Sequence, residues 1–161
     1  MTKKDIFIDN NIAKNFANPM DNEYKKLVIW LKKFNINPQN DNNAYLVVSQ
    51  KLLIEYTATC GSSLSQNSII AIIGELTKQG RLIKITNDQI KEFQQKYFTN
   101  KTEKSLNLKS LKKDREHIPV VLLSDRKYAL SIDEKFVQAL IKFPSFTVKV
   151  GKKPSDIPYD K

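Results

Sequence analysis

The chain has 161 residues and a mass of 18.6 kDa, a length that suits one ordinary globular domain. Hydrophobic residues make up 40% of it and charged residues 27%, which excludes wholesale disorder and a fibrous repeat. Lys and Arg outnumber Asp and Glu by 27 to 17, so the formal net charge is +10, and we expect a polyanion or an acidic protein as partner.

Cysteine content and hydropathy exclude further classes. The single Cys60 cannot form an intrachain disulfide, and with one His the chain cannot build a Cys/His zinc cage. No apolar run approaches the roughly 20 residues that cross a bilayer, and the N-terminus has no signal-peptide pattern. We therefore predict a cytoplasmic protein with no membrane association.

The first half of the chain alternates strand-like and helix-like patterns. In chain order these are a strand, a helix, an Asn-rich loop, a strand and a helix, over residues 5–9, 23–34, 35–43, 44–48 and 50–60. Ser49 is a suitable N-cap for the last of these helices, and Gly61 breaks it. A second amphipathic helix is predicted from Ser65, with Gly80 just past its C-terminus.

The second half continues the alternation. We predict a strand over 81–85, a helix capped by Asn87 or Asp88, and a polar loop centred on 99–104. The remaining predicted elements are a helix, a strand, a helix and a strand, over residues 114–123, 128–132, 134–143 and 146–150.

Such alternation is typical of α/β folds with a parallel sheet. We predict a three-layer α/β/α domain over residues 1–150, with a central, mostly parallel sheet of about five strands. Residues 151–161 are predicted to be a C-terminal tail that wraps the surface. The four glycines are too scattered for a P-loop or a dinucleotide-binding turn.

Four acidic residues follow predicted strands or open nearby helices. Asp9 and Asp133 end strands, Asp114 opens a helix, and Glu55 lies about two turns inside the helix after the second strand. In an open parallel sheet ligands bind beyond the carboxyl ends of the strands, so these carboxylates are candidates for one site. Oxygen ligands of this kind suit Mg²⁺ or Mn²⁺.

Four segments together resemble the ordered motifs of the PIN-domain family. Residues 6–12 (IFIDNNI) are similar to its opening strand, Asp, x, Asn motif, and 47–56 (VVSQKLLIEY) to its strand, Ser and later Glu. Residues 114–124 (DREHIPVVLLS) are similar to its third motif, an Asp at the start of a helix. Residues 128–136 (YALSIDEKF) resemble the closing strand with its Ser, x, Asp.

The resemblance implies a metal-dependent ribonuclease, as in many toxins of bacterial toxin–antitoxin pairs, with RNA as substrate and an antitoxin protein as a candidate partner. By this resemblance Asp9, Asp114 and Asp133 would hold Mg²⁺ or Mn²⁺ directly or through waters, and the metal would lower the pKa of a water that attacks phosphorus. Glu55 would position that water or the cation. Three polar side chains would hydrogen-bond the carboxylates: Asn11, Ser49 and Ser131.

The sequence leaves alternatives open. The chain has bulky residues over 120–123, where the family is often Ala-rich, and Lys135 follows Glu134 where a further acid is common, so one or two metals remain open. The same fold could be a catalytically inactive module that binds RNA or a protein, and a homodimer is open too. His117 is interpreted as a structural residue at a helix start, bonded to Asp114, and not as a catalytic one.

Half of the net positive charge lies in one segment. Residues 96–113 contain six lysines and one acid, Glu103, and lead directly into Asp114. We predict that this segment guides a phosphate backbone toward the acids. The predicted RNA-binding residues are Lys101, Lys104, Lys109, Lys112, Lys113 and Arg115.

Overall fold

The computed structural model describes residues 2–37, 39 and 41–161. It contains a five-stranded sheet in the order β3-β2-β1-β4-β5, in which every neighbouring pair is parallel. The strands are β1 (Lys4–Ile8), β2 (Ala44–Ser49), β3 (Leu82–Ile85), β4 (Tyr128–Leu130) and β5 (Lys149–Gly151). The three-layer α/β/α fold class predicted from the sequence is confirmed.

The helices connect these strands. They are α1 (Asn10–Ala13), α2 (Asn22–Lys32), α3 (Gln50–Cys60), α4 (Ile69–Lys78), α5 (Asn87–Tyr97), α6 (Asn100–Ser105), α7 (His117–Leu122) and α8 (Glu134–Lys142). A 3₁₀ segment, Leu108–Glu116, precedes α7, and a short 3₁₀ turn, Pro154–Asp156, follows β5. Among the described residues, no helix has both the length and the apolar character needed to span a bilayer.

The two central strands are buried along their length. Residues 6–8 and 46–48 are 0% exposed, as expected where helices cover both faces of a parallel sheet. Helices α2 and α3 contact β2 and α4, while α7 contacts β1, β2 and α5. Because parallel crossovers are right-handed, the connections on the two sides of β1 place their helices on opposite faces.

Helix capping explains several differences from the predicted boundaries. The helix expected from Ser65 begins at Ile69, because the Ser68 hydroxyl accepts a hydrogen bond from Ala71 N at 3.2 Å. Thr86, and not Asn87 or Asp88, caps α5, in a capping box with Gln89. The predicted role of Gly80 is confirmed: with φ +68° it ends α4.

Two other predicted elements were wrong or displaced. Residues 99–104, predicted as a loop, lie largely in α6, which Thr99 caps by accepting from Thr102 N at 3.2 Å. The last strand is Lys149–Gly151 instead of 146–150, so residue 151 of the predicted tail belongs to it. Of the predicted loop over 35–43, Pro38 and Asn40 lie outside the described residues.

The helix predicted over 114–123 does not open at Asp114. The 3₁₀ segment runs through Asp114 to Glu116, and α7 begins at His117 with no side-chain cap. Pro119 lies in the first turn of α7, where its missing N–H costs no intrahelical hydrogen bond. Asp114 is therefore free of the N-cap role, and its carboxylate is available for other contacts.

Candidate metal centre

The order of the strands creates a crevice beside β1. The chain passes from β1 to β2 and β3 on one side and later returns to β4 and β5 on the other. In an open parallel sheet such a switch point is where ligands bind, outside the carboxyl ends of the strands. Asp9 follows β1 directly, and Ser131 and Asp133 follow β4, so all three lie at this crevice.

Asp9 is fixed by three hydrogen bonds. Its Oδ2 accepts from Ser131 Oγ at 2.6 Å and from Asn11 Nδ2 at 3.3 Å, and its Oδ1 accepts from Asn10 N at 2.8 Å. The residue is 5% exposed, and burial raises its pKa while the hydrogen bond from Ser131 opposes that rise. The carboxylate is thus held in one orientation at the base of the crevice.

Asn11 and Ser131 also connect the segment that follows β1 to the segment that follows β4. Asn11 Oδ1 accepts from Ile132 N at 3.3 Å, and Ser131 Oγ accepts from Asp133 N at 3.1 Å. Ser49, expected to contact a carboxylate in the same way, instead accepts from Leu52 N at 3.1 Å and caps α3. Within the described residues its hydroxyl has no carboxylate partner, so that expectation is replaced by a capping role.

Asp114 and Asp133 form a coupled pair of acids. Burial, then a hydrogen bond with Asp133, then the negative charges of Asp9 and Asp133 raise the pKa of Asp114 to about 7. Asp133 Oδ1 also accepts from Phe136 N at 3.2 Å and caps α8. In the absence of a cation, Asp114 therefore retains a proton close to neutral pH.

Glu55 reaches the same crevice from α3. The next residue, Tyr56, is fully buried and its hydroxyl donates to the Ile8 carbonyl, which fixes α3 against the end of β1. Glu55 Oε2 and Oε1 lie 2.8 Å and 3.0 Å from His117 Nε2. The predicted His117–Asp114 bond is therefore wrong, since the imidazole contacts Glu55.

His117 is the site residue that sequence reasoning left out. It is 0% exposed, and its ring packs against those of Phe7 and Phe136, with centroid distances of 5.6 Å and 6.3 Å. The only local indication that His117 belongs to the site was its position three residues after Asp114. Its contact with Glu55 spans 62 residues and was not visible in any local pattern.

One ligand atom from each of Glu55, Asp114 and His117 lies within 4.8 Å of the others, so this group can hold a metal ion. The predicted ligand set was Asp9, Asp114 and Asp133, which shares only Asp114 with it. Throughout the described part of the chain, Asp9, Asp114 and Asp133 make no ion pair with Lys or Arg. The site is thus an acidic cluster that no described Lys or Arg balances.

The basic segment, residues 96–113, leads directly into Asp114 of this cluster. All six of its lysines are exposed, and none of them forms an ion pair with another described residue. Arg115, whose predicted contact with RNA stays a prediction, is paired with Glu103, and its guanidinium lies 5.2 Å from the Phe98 ring centroid. Lys104 and Lys109 line one small surface pocket of about 170 Å³.

Comparison of the chain with family models, with curated proteins and with solved structures returned no match. The functional argument therefore rests on the residues and the geometry of this crevice.

Proposed function

We propose that the protein is a metal-dependent ribonuclease built on a PIN-like domain. One observation carries the proposal: the side chains of Asp9, Glu55, Asp114 and Asp133 converge at the switch point of the sheet, and no Lys or Arg of the described residues pairs with any of them. The choice of RNA as substrate rests on the order of the four motifs that resemble the PIN-domain family.

The donor chemistry fits a divalent cation. Carboxylate oxygens are the ligands that Mg²⁺ and Mn²⁺ prefer, and clustered carboxylates repel one another unless a proton or a cation lies between them. The raised pKa of Asp114 indicates that a proton has this role when no cation is present. A bound divalent cation supplies Lewis-acid activation of water and stabilises charge that develops on the phosphate.

The protein side chains supply the rest of the proposed mechanism. Asp9 and Asp133 are held by hydrogen bonds that preset their rotamers, so little reorganisation is needed when the cation binds. Asp114 would give up its proton to solvent when it holds a cation. Glu55 would position the attacking water, and the exposed lysines 104 and 109 would hold the phosphate backbone.

A second part of the proposal concerns an acidic protein partner of the antitoxin kind, acting in the cytoplasm. A surface groove of about 890 Å³ is lined by Lys25, Lys32 and Lys33 and by the apolar Met20 and Ile29, which are 89% and 66% exposed. No carboxylate lines it. Such a groove fits a segment with one apolar face and acidic side chains along its edges.

Partner binding is tested by co-purification with a small acidic protein encoded next to this gene. We expect the complex to dissociate in the variant Lys25→Glu/Lys33→Glu and to survive in Lys104→Glu/Lys109→Glu, which changes the net charge equally. Absence of any such neighbouring reading frame contradicts the toxin version and leaves the nuclease proposal unaffected.

The nuclease proposal is tested with a labelled single-stranded RNA. We expect cleavage with Mn²⁺ or Mg²⁺, none with excess EDTA, and loss of cleavage in Asp9→Asn. The matched control is Asp88→Asn, an exposed acid in the first turn of α5, which should cleave normally. Cleavage that survives Asp9→Asn at the wild-type rate would contradict the assignment.

The alternative to the nuclease is a catalytically inactive domain that only binds RNA. In that case calorimetry detects no Mg²⁺ or Mn²⁺ binding at neutral pH, while RNA binding through the lysines persists. Metal binding that is lost in Asp114→Asn favours the enzyme instead.

A further inference from the structure

His117 has two possible roles that the distance to Glu55 does not separate. A separation of 2.8 Å between Nε2 and Oε2 suits a hydrogen bond. It also suits two ligands of one cation, since donors about 2.1 Å from a metal at a right angle lie about 3.0 Å apart. The surroundings of the other ring nitrogen, Nδ1, distinguish these two roles.

Nδ1 of His117 is buried and has no hydrogen-bond partner among the described residues. A histidine that binds a metal through Nε2 carries its proton on Nδ1, and that N–H almost always donates to a carbonyl, a carboxylate or water. In this protein the N–H would be desolvated and unpaired. The doubly protonated imidazolium would leave the same N–H unpaired.

The neutral ring with its proton on Nε2 leaves no ring N–H unpaired. Nε2–H then donates to the Glu55 carboxylate in a charge-assisted hydrogen bond, and Nδ1 keeps only an unpaired lone pair beside the Phe7 and Phe136 rings. The whole ring is buried against these two aromatic residues, so its exit from the site would require repacking of the core.

We infer that His117 is a positioning residue, which fixes the Glu55 carboxylate through Nε2–H and does not bind the metal. This inference rests on the proposed function. The cation is then held by oxygen atoms alone, with Asp9, Asp114 and Asp133 as the remaining carboxylates. Such a site favours Mg²⁺ or Mn²⁺ over the transition metals that an imidazole ligand would recruit.

The first test is the imidazole tautomer, read from long-range ¹H–¹⁵N correlation spectra of the tag-free protein. Because His117 is the only histidine, its signals need no assignment. We expect the Nε2–H tautomer both without metal and with saturating Mg²⁺. A switch to Nδ1–H on addition of Mg²⁺ would overturn the inference, and neither result depends on RNA cleavage.

The second test compares two variants. In His117→Gln an amide N–H can reach Glu55, whereas His117→Leu has no donor. We expect kcat to fall 10- to 100-fold in His117→Leu and to be largely rescued in His117→Gln, with the Mg²⁺ affinity of both measured by calorimetry close to wild type. Loss of Mg²⁺ binding in both folded variants would make His117 a ligand and contradict the inference.

The tests separate two failures. If the wild-type protein binds Mg²⁺ and has the Nε2–H tautomer but cleaves no RNA, the proposed function fails and the assignment of His117 stands. If it cleaves RNA and the tautomer switches, the ribonuclease stands and the positioning role fails.

Discussion

Asp114 links the site to the stability of the folded chain. Its pKa is about 7 in the folded state, against 3.8 for an ordinary Asp. Between these values the folded state binds more protons than the unfolded state, so the free energy of unfolding falls as pH rises toward neutrality. Asp9 and Asp133 face Asp114 and both oppose its ionisation.

We expect the Tm of the metal-free protein to fall between pH 5 and pH 8. In Asp114→Asn that fall should become smaller and Tm at pH 8 should rise, because a neutral amide replaces the carboxylate that ionises. Thermal unfolding in EDTA measures both effects. A variant with the wild-type pH slope would show that Asp114 is not the group responsible.

Lys112 has a backbone conformation that an L-residue rarely adopts. Its φ of 51° and ψ of −110° interrupt the 3₁₀ segment two residues before Asp114. Glycine adopts positive φ without a steric penalty. Since the Lys112 side chain is exposed, relief of the backbone strain should dominate the effect of a substitution.

We expect Lys112→Gly to raise the free energy of unfolding by about 1 kcal/mol, measured by urea denaturation. Lys113→Gly is the matched control, since its φ is not positive, and it should destabilise the protein. Equal effects of the two substitutions would argue against strain at Lys112.

Single residues also show what could be predicted from the sequence. Asp9 and Asp133 were found because an acid after an apolar strand is a local pattern, and local patterns survive folding. The Glu55–His117 contact and the Arg115–Glu103 pair join side chains that only the packed helices bring together. Arg115 was therefore assigned to RNA, although a neighbouring helix provides its partner.

At the scale of elements, strands and helices were predicted well and their ends less well. Strands β1 and β2 contain continuous apolar runs, and the apolar faces of α3 and α4 repeat with helical period over 10 or 11 residues. Helix ends depend instead on one or two hydrogen bonds. The Thr-x-x-Gln pattern over residues 86–89 is a capping-box signature, and it went unrecognised in favour of Asn87 or Asp88.

Capping provides a direct test of the α5 boundary. Thr86→Ala removes the acceptor for Gln89 N, and we expect a loss of about 1 kcal/mol in the free energy of unfolding. Asn87→Ala and Asp88→Ala should each cost much less, because neither side chain caps the helix. If Asp88→Ala is as destabilising as Thr86→Ala, the capping box is not the main stabilising contact.

At the scale of the whole molecule, the positive charge is divided between two surfaces. Lys104 and Lys109 line a small pocket in the segment proposed to bind RNA, and Lys25 and Lys33 line the groove on α2. All four are exposed and unpaired with any described acid. Equal substitutions on the two surfaces therefore separate local contact with RNA from the effect of net charge.

We expect Lys104→Gln/Lys109→Gln to weaken RNA binding and to reduce the slope of log K against log salt by about 1.4, since each lost phosphate contact contributes about 0.7 for a single strand. Lys25→Gln/Lys33→Gln should leave the slope unchanged. Fluorescence anisotropy with Asp9→Asn protein in EDTA measures binding without cleavage. Equal changes in both double variants would indicate a diffuse charge effect.

The hydrogen bond between Ser131 and Asp9 spans 122 residues, and it joins the exit of β1 to that of β4, a strand that is synthesised much later. A nascent chain that stops before Ser131 has Asp9 and Glu55 but neither Asp133 nor the support for Asp9. The carboxylates of the proposed metal site can therefore come together only once β1 has paired with β4. If the proposed ribonuclease activity is correct, the chain would acquire it only after this pairing.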